Sequence, residues 1–258
     1  MIDIHSHVLF GLDDGSPTFE NSLAMLRMAA EHGTTDLICT PHANPTYKYL
    51  PDVNRERLAQ LDAAGTGVRL YLGCDFHLSY DNIQDAVANP RKYTLNQKNY
   101  LLVEFSDLLI FHNTAEIFAR LAEAGMIPII THPERNDLLR QRIDKIAAWV
   151  EEGARVQVTA NSLTGKFGRR AETFSRELLN RDLVHIIASD AHDLEHRPPV
   201  MDLAHQWLRE NYGDGLADML CIVNPEAALK GKPMAPTPSR SETDAENHGS
   251  AKWYQFWR

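Results

Sequence analysis

The amino-acid sequence predicts a single α/β domain in which seven parallel strands form a closed or nearly closed barrel. Seven short runs rich in Val, Ile and Leu alternate with helical patterns, and a length of 258 residues suits one large domain. The runs are nearly continuous in apolar residues, which is typical of parallel strands buried on both faces. The predicted strands are 1–5, 35–40, 68–73, 100–105, 127–131, 155–159 and 184–188.

The segments between the strands predict helices because apolar residues recur at i, i+3 and i+4. We expect helices at 19–31, 114–124, 145–152 and 171–181, and further helices on the outside of the barrel after Pro199. Residues 76–99 show no clean pattern. From 232 onward the chain is rich in proline and small polar residues, which cannot build a core. We therefore expect the domain to span 1–231, followed by a disordered tail, 232–258, that ends in aromatic residues.

Composition excludes several classes of protein. The net charge of −9 leaves no basic footprint for nucleic acid. No apolar run approaches the roughly 20 residues of a membrane span, and no basic segment precedes Ile2, so we expect a cytoplasmic protein that is not integral to a membrane. A cysteine-based phosphatase requires an arginine six positions after its catalytic cysteine. The residues six positions after Cys39, Cys74 and Cys221 are Pro45, Tyr80 and Ala227, so this class of phosphatase is excluded. Nothing in the pattern indicates an oligomeric state.

Ligand-type side chains stand at the carboxyl ends of the predicted strands, which is where α/β barrels build their active sites. Every predicted strand except the sixth ends with such a residue or is followed by one. In the first strand, His5 and His7 are two positions apart, so both imidazoles extend from the same side. The candidates are His5, His7, His42, Asp75, Glu104, His132, Asp190 and His192.

Two of the candidates are carboxylates at the ends of the third and fourth strands. Glu104 lies inside an apolar run, and a buried carboxylate is unfavourable unless it is paired or bound to a metal. Asp75 has two possible roles. It is a metal ligand whose backbone can approach the ions closely because Gly73 has no Cβ, or it is a surface residue that caps the following turn. His77 is an alternative to it. The set has nitrogen and oxygen donors without thiolate, which suits Zn, Mn or Fe, and it is large enough for two or three ions.

Two arginines lie in the same loops as the ligand candidates. Arg135 is three residues beyond His132, and Arg197 is five residues beyond His192. A guanidinium group matches two phosphate oxygens at once, so both arginines are predicted to bind phosphate.

Several segments together resemble the polymerase-and-histidinol-phosphatase (PHP) superfamily over about residues 1–230. Within it, the sequence is most similar to bacterial manganese-dependent protein-tyrosine phosphatases of the capsule and exopolysaccharide type. The Asp-Asp-Gly and Arg-Pro-Pro segments are specific to that group. The matching segments are 1–7, Asp13-Asp14-Gly15, Thr40-Pro41-His42, Val103-Glu104-Phe105-Ser106, Thr131-His132-Pro133-Glu134-Arg135, Ala188-Ser189-Asp190-Ala191-His192 and Arg197-Pro198-Pro199.

The resemblance implies a distorted (β/α)7 barrel that holds three divalent ions, with Mn expected and Fe or Zn as alternatives. The implied ligands are His5, His7, Asp190 and Asp75 for the first ion; Glu104, His132 and a bridging Asp75 for the second; and Asp14, His42 and His192 for the third. Similar proteins usually have Glu at the bridging position, and Asp75 is one methylene shorter.

The expected activity is hydrolysis of phosphotyrosine by a metal-bridged hydroxide that attacks phosphorus, while Arg135 and Arg197 bind the phosphate. The resemblance implies that the substrate is a tyrosine autokinase of polysaccharide export. Two alternatives remain open. One is a small-molecule phosphatase such as a histidinol-phosphate phosphatase, and the other is a metal-binding interaction module that has lost turnover.

Overall fold

The computed structural model describes residues 1–235, and these form an α/β domain with parallel sheets. All seven predicted strands are present, and two short ones follow the second and third of them. The strands are β1 (Ile2–Ser6), β2 (Asp36–Cys39), β3 (His42–Ala43), β4 (Arg69–Leu72), β5 (Asp75–His77), β6 (Tyr100–Glu104), β7 (Ile127–Thr131), β8 (Arg155–Thr159) and β9 (Ile186–Ala188).

The strands form two parallel sheets, ordered β1-β2-β4 and β3-β5-β6-β7-β8-β9. The break between the sheets falls after Cys39 in one strand and after Leu72 in its neighbour. Pro41 lies at this break and has no N–H to donate to a ladder. The first strand also contacts the segment that follows the last strand, because Ser6 forms an isolated parallel bridge with Ala191.

Helices connect most of the strands. The helices are α1 (Phe19–Glu31), α2 (Pro51–Asp62), α3 (Tyr80–Ala88), α4 (Thr114–Glu123), α5 (Ile143–Glu151), α6 (Ala160–Leu163), α7 (Gly168–Asn180), α8 (Asp202–Tyr212), α9 (Asp214–Asp218) and α10 (Asn224–Lys230), with 3-10 and π-helical turns at Leu95–Gln97 and Met219–Val223. The four predicted helices are confirmed as α1, α4, α5 and α7, each within three residues of its expected start. The helix α2 was not predicted because it is mainly polar and buries only Asn54 and Leu61. Residues 76–99, which showed no clean pattern, contain most of β5, the helix α3 and the 3-10 turn.

Strand residues alternate between two apolar layers. In β6, Leu101 and Val103 pack in the layer that includes Phe118 and Trp149 from the surrounding helices. Leu102 of the same strand packs in a second layer with Ile129 and side chains from β1, β2 and β9. Both faces of the strands are therefore buried, which accounts for their nearly continuous apolar sequence.

The described chain continues past the predicted end of the domain at 231. Tyr100 donates a hydrogen bond to the carbonyl of Lys232 (2.9 Å), Met234 is buried, and Ala235 N–H donates to Asn224 Oδ1 (3.0 Å). Met234 and Ala235 thus contact the domain, in contrast to the expected disorder, whereas the side chains of Lys232 and Pro233 are exposed. The rest of the predicted tail lies outside the described residues. Within the described part, no helix combines the length and apolar character needed to cross a membrane.

Candidate metal centre

All nine side chains expected as metal ligands gather at the carboxyl ends of the strands. We call these nine residues the metal centre. Six of them are buried, His132 and Glu104 are partly buried, and Asp14 is exposed. Their donor atoms form four overlapping sets among residues 1–235, and within each set they lie within 4.8 Å of one another. The sets are His7, Asp14, His42 and His192; His5, His7 and Asp75; His5, His132 and Asp190; and His42, Asp75 and Glu104.

These sets agree only in part with the grouping that the family resemblance implies. The implied third group, Asp14 with His42 and His192, is present with His7 added to it. His132 shares its set with His5 and Asp190, whereas Glu104 shares a set with His42 and Asp75. No set among the described residues joins Glu104 with His132, which the resemblance assigns to the same ion.

Asp75 lies in β5 and is fully buried, so the alternative of a surface capping residue is wrong. Its Oδ2 atom is 3.5 Å from His5 Nε2 and 3.2 Å from His42 Nδ1. Gly73 has a different role from the one expected, because a Cβ there would lie 2.7 Å from Leu95 Cδ2. The glycine thus makes room for an interior side chain instead of bringing Asp75 closer. His77 lies outside the four sets, and its Nδ1 is 3.5 Å from Glu104 Oε2.

Hydrogen bonds on the far side of the rings orient three of the histidines. His5 Nδ1 donates to Gln157 Oε1 (3.0 Å), and His7 Nδ1 donates to Asp13 Oδ2 (2.8 Å). His192 Nδ1 donates to the carbonyl of Asp190 (3.0 Å). With Nδ1 as the donor on the far side of each ring, Nε2 faces the interior of the metal centre, an arrangement typical of metal-bound histidine.

Asp13 holds together two loops that carry ligands. Its Oδ2 also accepts a hydrogen bond from the N–H of His42 (3.0 Å), and its Oδ1 accepts one from Gly15 (3.0 Å). Gly15 packs so closely on His7 that a Cβ would lie 2.2 Å from the His7 carbonyl oxygen. The Asp-Asp-Gly segment therefore supplies an orienting carboxylate, a candidate ligand in Asp14, and a residue without a side chain where the loops touch.

The histidines of the metal centre fall into two electrostatic classes. Burial lowers the pKa of His7 and of His132 to about 3, so both are neutral at neutral pH. Burial also opposes charge on His5 and His42, but neighbouring carboxylates outweigh it and raise the pKa to about 9 for His5 and about 11 for His42. A cation that binds to either of the latter two must displace a proton, so metal binding is coupled to proton release.

Both predicted phosphate-binding arginines contact one oxygen of Asp190. Arg197 Nη2 is 2.6 Å from Asp190 Oδ2, and Arg135 Nη1 donates to the same atom. The other oxygen, Oδ1, is 3.3 Å from His5 Nε2. Burial raises the pKa of Asp190, but His5 and the two arginines outweigh this and hold it well below its usual range. The Arg135 guanidinium lies over the Phe167 ring, 4.5 Å from its centroid.

The backbone is strained at two residues of the metal centre. His132 has φ 32° and Asp190 has φ 51°, both in the left-handed region that residues with a Cβ rarely adopt. Such a conformation costs on the order of 1–3 kcal/mol and persists only where the surrounding structure enforces it.

The residues of the metal centre fit bound divalent ions. Both carboxylate oxygens of Asp75, His42 Nδ1 and His192 Nε2 are buried without a hydrogen-bond partner. A buried polar atom without a hydrogen-bond partner destabilises the fold unless a bound group interacts with it. Imidazole nitrogens and carboxylate oxygens without thiolate are the donors that Mn, Fe and Zn accept.

Comparison with known protein families gives a match over most of the chain. The family described as "Capsular polysaccharide synthesis, CpsB/CapC" matches residues 1–230. The "Putative tyrosine-protein phosphatase CapC" of Staphylococcus aureus is 33% identical over 204 residues, covering 77% of this chain and 79% of that protein. The "Tyrosine-protein phosphatase YwqE" of Bacillus subtilis (strain 168) is 33% identical over 237 residues, covering 90% of this chain and 92% of that protein.

A solved structure is similar over nearly the whole fold. It comes from work described as "Crystal structures of YwqE from Bacillus subtilis and CpsB from Streptococcus pneumoniae, unique metal-dependent tyrosine phosphatases". The TM-score is 0.86 at 32% sequence identity, and the match covers 93% of this chain and 100% of that one.

Proposed function

The chain belongs to the CpsB/CapC family of capsular polysaccharide synthesis, and we propose that it is a metal-dependent protein-tyrosine phosphatase that hydrolyses phosphotyrosine. The observation that carries this proposal is the convergence of nine nitrogen and oxygen ligands, with two arginines beside them, at one end of the strands. The names of the relatives and the similar solved structure support the same activity.

We propose that the fold is the distorted (β/α)7 barrel expected from the sequence. If β2 with β3, and β4 with β5, are each counted as one bent strand, the strands of the two sheets number seven. The bridge between Ser6 and Ala191, with the hydrogen bond from His7 N–H to the Ala191 carbonyl (2.8 Å), supports closure between the first strand and the last.

We further propose that the nine residues of the metal centre hold three divalent ions, with Mn the first candidate and Fe or Zn the alternatives. Four overlapping sets that share His5, His7, His42 and Asp75 support more than one ion. Bound divalent ions would neutralise phosphate charge and lower the pKa of coordinated water toward neutrality.

The arginines complete the chemistry that this chain supplies. Arg135 and Arg197 would bind and orient the phosphate, since each is a permanently charged fork beside the ligand loops. The Nε of Arg197 is buried and has no partner, so this guanidinium retains a free donor for a ligand. The leaving group from phosphotyrosine is a phenol of pKa about 10, which departs with less help from an acid than an alkyl alcohol does.

We propose a phosphotyrosine protein as the physiological substrate, specifically a tyrosine kinase of capsule or exopolysaccharide export. The description of the matching family, capsular polysaccharide synthesis, supports this context.

The test is turnover of a phosphotyrosine peptide and of histidinol phosphate, side by side, with added Mn²⁺. We expect the peptide to be the better substrate, and EDTA to abolish its turnover. Iodoacetamide should leave turnover unchanged, because all three cysteines are buried and burial raises the pKa of each thiol. A preference for histidinol phosphate, or activity that survives chelation but not alkylation, would contradict the proposal.

A further inference from the structure

The segment that follows β8 supports Arg135, although it contains none of the nine candidate ligands. We call residues 159–168 the β8 segment. It contacts two consecutive residues of the loop after β7, Glu134 through hydrogen bonds and Arg135 through an aromatic ring. One of the two arginines proposed to bind phosphate is therefore held by a part of the chain that has no ligand of its own.

Glu134 fixes the backbone next to Arg135. Its side chain is fully buried, and its Oε1 accepts hydrogen bonds from Thr159 N–H (3.0 Å) and from Ser162 Oγ (2.7 Å). Separating the two segments would leave these buried polar groups without partners, which is unfavourable. The main chain at Glu134, and with it the base of the Arg135 side chain, is therefore anchored to the β8 segment.

Phe167 contacts the other end of the Arg135 side chain. The guanidinium carbon lies 4.5 Å from the centroid of the Phe167 ring, within the range of a cation–π contact. Nη1 of the same guanidinium donates to Asp190 Oδ2. The N–H donors of a guanidinium lie in its plane, so a ring over one face leaves the hydrogen bonds to the edges. The ring and the carboxylate together thus set the direction in which the remaining donors point.

A hydrogen-bonded turn holds the Phe167 ring in place. Phe167 is partly buried and lies between Gly165 (φ 81°) and Gly168 (φ 83°), both in the left-handed region that glycine adopts without a Cβ clash. Gly168 N–H donates to the Gly165 carbonyl (2.9 Å), and Lys166 N–H donates to the Asn161 carbonyl (3.0 Å). The ring is therefore presented to the guanidinium from an ordered backbone.

We propose that Phe167 is a positioning residue, which acts through Arg135 by holding its guanidinium in place for the phosphate group of the substrate. This inference rests on the proposed function. A long arginine side chain loses rotamer freedom when it binds phosphate, and a ring that fixes it beforehand reduces that loss. Within residues 1–235, no aromatic ring lies over the guanidinium of Arg197, the second arginine on Asp190. Removal of the Phe167 ring should therefore act on one of the two arginines.

The experiment is a double-mutant cycle on the full-length chain with Mn²⁺ and p-nitrophenyl phosphate. Phe167→Leu should lower kcat/KM about fivefold, whereas Phe167→Tyr, which keeps an aromatic ring, should stay within about twofold of wild type. In the Arg135→Ala background, Phe167→Leu should change kcat/KM by less than about twofold, because the group that it positions is gone. The matched control is Trp207→Leu, which removes the ring that lies 4.8 Å from the Arg176 guanidinium between α7 and α8. This control should leave kcat/KM within about twofold of wild type.

A binding measurement separates this inference from the proposed function. Inorganic phosphate, titrated calorimetrically into the Mn²⁺-loaded chain, should bind about fivefold more weakly to Phe167→Leu than to wild type, with metal content unchanged. If the wild-type chain hydrolyses no p-nitrophenyl phosphate, the proposed function fails, and the phosphate affinities still decide the role of Phe167. An equal loss of kcat/KM with and without Arg135, or a phosphate affinity that Phe167→Leu leaves unchanged, would overturn the inference.

Discussion

Replacement of Asp75 by asparagine tests the metal centre at one of the four positions that two ligand sets share. Asp75 belongs to two of the four ligand sets, and both of its carboxylate oxygens are buried without a hydrogen-bond partner. Asparagine keeps nearly the same shape and removes the negative charge. The variant therefore separates the charge of this residue from its volume.

The size of the effect follows from the distances around Asp75. Its Oδ2 lies 3.2 Å from His42 Nδ1 and 3.5 Å from His5 Nε2, so a cation held by either imidazole lies close to the carboxylate. Two unit charges about 4 Å apart attract by about 4 kcal/mol at an effective dielectric constant of about 20. A loss of that size corresponds to about a thousandfold in affinity.

We therefore expect Asp75→Asn to lose at least one metal equivalent and most of its activity while it keeps its fold. Metal content is measured by mass spectrometry after gel filtration, turnover with p-nitrophenyl phosphate, and folding by circular dichroism. Asp75→Glu should stay within about tenfold of wild type, since it retains the negative charge. Asp81→Asn, an exposed change on the nearby α3, is the matched control. A full metal complement and normal turnover in Asp75→Asn would refute the reasoning.

Three further predictions concern other parts of the chain. Arg135→Ala or Arg197→Ala should lower kcat/KM for p-nitrophenyl phosphate by about tenfold or more, about 1.4 kcal/mol, with metal content unchanged. Loss of metal with activity would show instead that the arginine supports Asp190. Burial lowers the pKa of His185 to about 3, against about 6.5 in the unfolded chain, so its contribution to stability is complete above about pH 6.5 and declines as the pH falls toward 3. In urea unfolding between about pH 4 and 6, His185→Gln should reduce this decline by up to about 1.4 kcal/mol per pH unit, and an unchanged slope would contradict the assignment. Deletion of 236–258, which starts beyond the packed Met234, should leave turnover of the same aryl phosphate within about twofold, and a larger fall would place the tail in the catalytic fold.

The strands were predictable because both of their faces are buried, so their sequences are apolar almost without interruption. The short strands β3 and β5 were not, because each lies beyond a break in the apolar run and is only two or three residues long. Their sequences contain the ligand-type residues His42 and Asp75, which were expected in loops. The helix α2 was missed for a related reason, since its mainly polar surface leaves little periodic signal.

The convergence of eight of the nine candidate ligands was predictable from one geometric rule, that the carboxyl ends of parallel strands meet at one edge, whereas Asp14 came only from the family resemblance. The residues that orient the ligands were not predictable. Gln157 bonds to His5 across 152 positions of sequence, and only its polar character inside the apolar run Val-Gln-Val marks it. Asp13 lies in the Asp-Asp-Gly segment on which the family resemblance rests, but its neighbour Asp14 was the residue expected to bind a metal ion. Phe167 gave no signal, because an aromatic residue in a loop has no periodicity.

The left-handed backbone at His132 has a consequence for directed evolution of this chain. Glycine would relieve the torsional strain there, whereas at Asp190 it would also leave Arg135 and Arg197 without the carboxylate they share. A mutant library screened for heat resistance alone would thus be drawn toward glycine at His132, which removes a candidate ligand, whereas screening for turnover would retain the imidazole. Selection rounds on this scaffold should therefore score turnover and melting temperature together, because at His132 the two properties favour different residues.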